Sequence, residues 1–404
     1  MFRERGGPVR AEVNVEWPEE PLPALGDPEG LPPERLMGEL ASLWPLLSES
    51  VMRTGPGFLW PGSLRWGPDQ GWQILCVPPY GMGEEPVPET PGARARDVWS
   101  VICGLVKLAV GRAPRDLTDT LMLLELHAGR APHGLDAVVR ALLAGNDPGG
   151  VVAAVTRPWD EGVSVQLAAE TAVGSRKAKG DPEWDNEDAF TAVRSVDDVV
   201  ALAVCDGVTG PGDGSGARAA RAAVTALQEY FTTGYDLEEA LDAAEAAVVG
   251  QGRGASTALL AAIRPDGRTA LLSVGDSPAW LVRMLPFGGR TAFRLNPDQT
   301  VLAESLLTDP SATMGGSILL GNLGGYADQP FLAELQTVPG DMLVLLSDGA
   351  ALGEEDWFAG DLVDLAGLHQ SAAALAAALV GRAERLGGLD NATALVAEIR
   401  PAGR

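Results

Sequence analysis

The chain has 404 residues, 46% of them hydrophobic and 21% charged, which is enough apolar material for a sizeable core and long enough to favour two or more domains. A formal charge of -25 argues against binding to nucleic acid or to an anionic membrane, both of which need a basic face. The cysteines (Cys76, Cys103, Cys205) and histidines (His127, His133, His369) are scattered without metal-ligand spacing, and neither a secretory signal nor a membrane-length apolar segment is read, so a cytoplasmic protein is expected.

Residues 1–33 hold seven prolines and many acids and read as an extended arm. Glu34 to Val51 places Leu36, Leu40, Leu43, Leu47 and Val51 at helical spacing. Ser63 to Val77 reads as a hairpin around Gly67-Pro-Asp-Gln-Gly71, and the Pro-rich Val77 to Pro91 as a loop. Helices are expected over Asp97 to Gly111, Asp116 to Ala128 and Leu135 to Leu143, giving a small helical accessory domain over 34–157. Composition shifts near Arg157-Pro-Trp-Asp-Glu-Gly162, and a second domain is expected over 160–404.

There the texture turns to strands. Val163, Val165, Leu167 and Ala169 alternate, and Phe190 to Val193 is expected to pair with Val199 to Cys205 across a turn at Asp197-Asp198. Gly214 to Phe231 and Leu237 to Val249 read as helices. Thr257 to Ile263 and Thr269 to Val274 flank the hairpin signal Arg264-Pro-Asp-Gly-Arg268, with Ala279 to Val282 expected to extend the meander. Leu285 to Leu335 is rich in glycine and turn residues, Ser371 to Leu386 reads as a helix, and Ala392 to Ile399 as a strand that closes a sheet.

Val199 to Cys205 carries no charge, which suits a strand buried on both faces, and it ends in Asp206-Gly207. This pair has two readings. It is a common turn, or it is a carboxylate beside a backbone that a hard cation can approach closely. The event recurs: a strand from Asp341 ends in Asp348-Gly349, another from Ala270 ends in Gly275-Asp276, and Asp390 precedes the strand to Ile399. Four such carboxylates in one small volume would hold protons unless divalent cations neutralised them, and oxygen-only ligands select Mg2+ or Mn2+.

Six stretches, Asn186-Glu-Asp188-Ala, Asp206-Gly-Val-Thr-Gly210, Gly254-Ala-Ser-Thr-Ala258, Val274-Gly-Asp-Ser277, Leu346-Ser-Asp-Gly349 and Asp390-Asn-Ala-Thr393, stand in the order in which the PP2C family of metal-dependent protein serine/threonine phosphatases carries its motifs. Residues from about 160 to 400 resemble that family. The resemblance implies an α+β fold, a four-layer α-β-β-α sandwich, around a centre of two or three Mn2+ or Mg2+ ions. It implies Asp206 as bridging ligand, the Gly207 carbonyl, Asp348 and Asp390 as further ligands, and Glu187 acting through bound water. Asp188 would ligate or support a ligand, and Asp276 with Asp348 would hold a weaker third ion. Asp206, Asp348 and Asp390 would form the catalytic core of a water-based hydrolysis of phosphoserine or phosphothreonine in a protein, the partner of a cognate serine/threonine kinase.

The chain also departs from the family pattern. Glu183 stands where an arginine usually grips the phosphate, so Arg176, Lys177 and Lys179 on the preceding loop either take that role or form a solvated basic loop. Val208 replaces a histidine found in many eukaryotic members, Thr209 a glycine, and Gln299 another histidine. The N-terminal part faintly resembles a degenerate protein-kinase C-lobe through Asp97-Val-Trp-Ser100 and Gly111-Arg-Ala-Pro114. Cys76-Val-Pro stands where Asp-Phe-Gly would be, so this part reads as a docking or positioning module, of kinase descent or an unrelated helical domain. Three functions follow: a protein phosphatase, a pseudophosphatase serving as phosphoprotein-binding scaffold, and a hydrolase of small phosphoesters.

Overall fold

The structure, a computed structural model, describes residues 12–14, 64–67, 71–75, 102–107, 109–128, 134–143, 148–155, 157, 161–177, 186–195, 197–208, 214–286, 288–309, 311–316, 318–325, 329–351 and 358–402. The rest of the arm, the Glu34–Val51 helix, the Val77–Pro91 loop, the Asp97–Ser100 motif, Lys179, Glu183 and Thr209 lie outside the described residues. Two compact units form, Met1–Leu124 with Arg130–Thr156, and Glu125–Gly129 with Arg157–Arg404.

In the first unit, β1 (Glu12–Asn14), β2 (Leu64–Gly67) and β3 (Gly71–Leu75) make a sheet in the order β1-β3-β2. The expected hairpin is present, with Trp66 opposite Trp72. Residues 102–107 are helical, followed by α1 (Leu117–Leu126), α2 (Leu135–Leu143) and α3 (Gly149–Val155). The Asp116 carboxylate accepts the Asp119 amide at 2.8 Å and so caps the start of α1. Arg112, from the Gly111-Arg-Ala-Pro114 turn, donates twice to the buried Asp119, at 2.8 and 2.6 Å.

The second unit begins with β4 (Val163–Ala172), β5 (Asp188–Arg194) and β6 (Val200–Val208), then α4 (Ser215–Phe231) and α5 (Leu237–Gly250). Short β7 (Ala255–Ser256) precedes β8 (Ala258–Ile263), β9 (Arg268–Val274), β10 (Ala279–Met284) and β11 (Arg290–Arg294). After α6 (Val301–Thr308) come β12 (Phe331–Gln336), β13 (Met342–Leu346), α7 (Phe358–Leu368), α8 (Ala372–Arg385) and β14 (Ala392–Pro401). The strands build two antiparallel sheets in the orders β12-β9-β8-β6-β5 and β11-β10-β13-β14-β4.

Side-chain alternation along the strands explains the layering. Val199, Ala201, Ala203 and Cys205 pack beneath α4 and α5 against Ala219, Ala223, Leu227 and Phe231, whose small residues let the helix lie close to the sheet. The intervening Val200, Leu202 and Val204 are as deeply buried and point to the opposite side. In the second sheet Trp280, Val344, Leu346 and Val396 pack with Phe358, Leu362, Leu375 and Leu379 of α7 and α8. Leu281, Leu343, Leu345 and Leu395 alternate with them and are also fully buried. Both sheets are therefore covered on two faces, and each such leucine or valine contributes about 1.5–3 kcal/mol by leaving water. The result is the four-layer α-β-β-α sandwich that the resemblance to PP2C phosphatases implied.

Three details differ from expectation. β10 does not extend the β8–β9 meander but crosses to the other sheet, between β11 and β13. Gly275 turns the chain at φ 104° and Pro278 has no amide to donate to a ladder, while the Ala279 amide is taken by Asn296 Oδ1 at 2.7 Å. Leu285 to Leu335 contains β11, α6 and β12 as well as turns, with Thr300 Oγ1 accepting from the Ala303 amide at 3.2 Å to cap α6. β14 runs inside its sheet, between β13 and β4. Among the described residues no helix is long and apolar enough to cross a membrane.

Candidate active site

Asp206 continues the series Val200, Leu202, Val204 at the end of β6, so alternation aims its carboxyl between the sheets. Asp188 lies directly opposite it in the β5–β6 register. Asp348 follows β13, Asp276 follows β9, and Asp390 precedes β14. The structure thus brings Asp188, Asp206, Asp276, Asp348 and Asp390 to one end of the sandwich, within reach of one another's charge.

That proximity shows in their acidity. Burial pushes Asp188 up to about 6, with the charges of Asp348 and Asp390 adding to it. Burial and the Asp348 charge push Asp276 up to about 8, with Asp298 adding and Arg294 opposing. Asp206 is raised well above the usual carboxylate range by burial and then by Asp188, Asp348 and Asp276. Asp348 keeps a solvent-facing edge, yet the protein around its carboxyl and the Asp390 charge raise it too. Asp206 and Asp348 lie close enough for each to bear on the other's pKa.

Hydroxyl and amide groups hold the carboxylate-bearing backbone. The Asp206 amide donates to Thr257 Oγ1 at 2.9 Å, and that hydroxyl meets Ser277 Oγ at 2.7 Å. The Asp206 carbonyl accepts from the Thr257 amide at 2.8 Å and from Ser256 Oγ at 3.0 Å. Ser347 Oγ donates to Asp188 Oδ2 at 2.7 Å while accepting the Thr393 amide at 2.9 Å. Asn391 Oδ1 takes the Glu187 backbone amide at 3.2 Å, and the Asn391 backbone N–H donates to Asp390 Oδ1 at 2.8 Å. Gly207 passes so close to α4 that an added Cβ would stand 2.4 Å from the Gly216 carbonyl oxygen, so no side chain fits there.

Of the three proposed phosphate-binding residues, Arg176 is exposed and Lys179 lies outside the described residues. Lys177 Nζ sits 2.5 Å from Glu187 Oε2 and 3.5 Å from Asp390 Oδ1. Burial works against its charge, but Glu187 and Asp390 override that and raise its pKa. Val208 is partly exposed at the end of β6. Gln299 accepts the Gly275 amide at 2.8 Å and donates to the Gln329 carbonyl at 3.0 Å, tying the segment after β11 to the turn that carries Asp276.

Ser256, Thr257, Ser277, Ser347 and Asn391 were not assigned roles from the sequence, although all lie inside the six stretches. The available signal was a small polar residue beside a carboxylate at the end of an apolar strand, where its hydroxyl or amide is buried and must find a partner. Arg294, which pairs with Asp298 and supports the Asp276 turn, gave no such signal.

Among the described residues, no group of three or more His, Cys, Asp or Glu side chains is arranged to hold a metal ion as it stands. The chemistry of the donors nevertheless fits a hard divalent cation. They are all oxygens, they raise one another's pKa by mutual repulsion, and the buried Asp188 Oδ1 has no hydrogen-bond partner.

No protein-family model matches the chain, and no curated protein matches it. Among solved structures it is similar to the catalytic domain of the serine/threonine phosphatase PstP in complex with two manganese ions, at 23% identity and TM-score 0.47 over 59% of this chain and 99% of that one. It is similar to the S. agalactiae serine/threonine phosphatase at 20% identity and TM-score 0.49, over 58% and 99% of the two chains. Serine/threonine phosphatase Stp1 from Staphylococcus aureus matches at 18% identity and TM-score 0.48, over 60% and 98%.

Proposed function

We propose that the chain is a metal-dependent protein phosphatase that hydrolyses phosphoserine or phosphothreonine in a protein partner, opposite a serine/threonine kinase. The observation that carries this is the gathering of five aspartates from different strand ends, with the pKa of four of them raised by burial and by one another. Asp206, Gly207, Asp348 and Asp390 would hold the ions, Asp276 a further one, and Glu187 and Asp188 would support them.

Two or three Mn2+ or Mg2+ ions bound there would acidify a water towards neutral pH and offset charge on the phosphoryl oxygens. The chain's part is to fix the ligands. Thr257 and Ser256 lock the Asp206 backbone, Ser347 turns Asp188, and Asn391 joins Glu187 to Asp390. Such partners orient ligating carboxylates. Arg176 and Lys179 would bring positive charge to the substrate phosphate, joined by Lys177 when it leaves its carboxylate partners.

The test is hydrolysis of p-nitrophenyl phosphate. Turnover should need added Mn2+ or Mg2+ and disappear with EDTA. Metal-independent turnover would remove this reading, and metal binding without any turnover would leave the phosphoprotein-binding scaffold in its place.

A further inference from the structure

Lys177 is built into the carboxylate cluster by backbone, and does not reach it as a free surface chain. The Ser175 amide donates to the Gly388 carbonyl at 2.6 Å, the Arg176 amide to Leu389 at 3.1 Å, and the Lys177 amide closes the turn on Gly174 at 2.9 Å. Gly174 approaches so near that a Cβ there would stand 2.2 Å from the Asp390 carbonyl carbon, a backbone atom that cannot move aside cheaply. The turn is thus fastened to the loop that carries Asp390, and its last residue places an ammonium between Glu187 and Asp390. The chain holds three lysines, Lys107, Lys177 and Lys179, among 30 basic residues. A compact ammonium fits a position shared by two carboxylates better than a planar guanidinium does.

We propose that Lys177 competes with the second divalent ion of the centre: its ammonium holds Glu187 and Asp390 until metal displaces it, so that one ion binds readily and the next only at higher concentration. This rests on the metal-dependent reading of the centre. As the cluster stands, this ammonium meets the charges of Glu187 and Asp390. A divalent ion taking Glu187 and Asp390 would lie within a few ångströms of Nζ and be repelled by it. The lysine must therefore swing out, and its side chain, 31% exposed, has solvent to swing into.

The full chain and its Lys177→Ala and Lys177→Met variants would be titrated with Mn2+ by calorimetry, with electron paramagnetic resonance recorded alongside. The methionine variant keeps the aliphatic stem, so that loss of folding in the alanine variant does not decide the outcome. Wild type should show two binding steps, and its second dissociation constant should be at least tenfold weaker than in the variants. The signal of an isolated Mn2+ should give way to that of a coupled pair at lower Mn2+ in the variants. The proposal is overturned if second-ion affinity is unchanged, or if the first ion gains as much as the second, which would mark simple loss of positive charge. If wild type and both variants bind no Mn2+ at millimolar concentration, the metal reading of the centre falls and this inference with it.

Discussion

Without metal, the protein should lose stability as pH rises from about 5 to 8. Asp188 is 8% exposed and pushed up to about 6, some two units above an ordinary aspartate. Asp276 is pushed up to about 8. A carboxyl whose folded pKa is raised binds more protons in the folded chain than in the unfolded one. Its stabilising contribution is therefore full below the unfolded value and is lost as pH climbs through the folded one. At 1.36 kcal/mol per unit, the two units of Asp188 amount to about 3 kcal/mol in all, lost from about pH 4 upward, with about 1 kcal/mol of it between pH 5 and 6. Asp276 continues the same downward slope to about pH 8. Urea unfolding in EDTA at each pH measures this directly. The Asp276→Asn variant should be more stable than wild type at pH 8 and show a shallower slope between 6 and 8. A metal-free stability that is flat or rises over this range would refute the claim that these carboxyls crowd one another.

The Ser347→Ala variant should lose about 3 kcal/mol by urea unfolding, because it removes a donor to Asp188 and strands the buried Thr393 amide; a change below about 0.5 kcal/mol would place Ser347 outside the network. A chain starting at Asp160 should stay soluble and still bind Mn2+, in keeping with the composition shift there. It also lacks residues 125–129, which group with the second unit, and aggregation of the shortened chain would mean that the boundary lies earlier.

The strands that carry aspartate were legible because each is an uninterrupted apolar run with a carboxylate at its end, and Val199 to Cys205 is buried as its composition required. The helices α4, α5 and α8 were equally plain, since alanine-rich sequence with helical spacing leaves little alternative. Sheet membership was not legible. Ala279 to Val282 is as apolar as the strands before it, and hydropathy cannot say which of two fully covered sheets it joins; the missing Pro278 amide was the only local cue. α7 was hidden by Gly360 and Gly367, which weaken its intrinsic helicity, and Phe358, Leu362 and Ala366 hold it through packing instead. Within the site, the acidic residues announced themselves, but the destination of the Lys177 ammonium did not. It depends on Gly174 and Ser175 meeting Asp390 and Gly388 across more than two hundred residues of chain, a contact with no local signature.

The central claim is that the clustered aspartates form the metal centre of a protein phosphatase, and the most direct measurement is dephosphorylation of a phosphothreonine peptide by wild type and by the Asp206→Asn variant at saturating Mn2+. Wild type should release phosphate only with Mn2+ present, and the variant should be slower by about a thousandfold or more, the scale of losing a principal electrostatic stabiliser. Equal rates for the two proteins, or release that persists in EDTA, would contradict it.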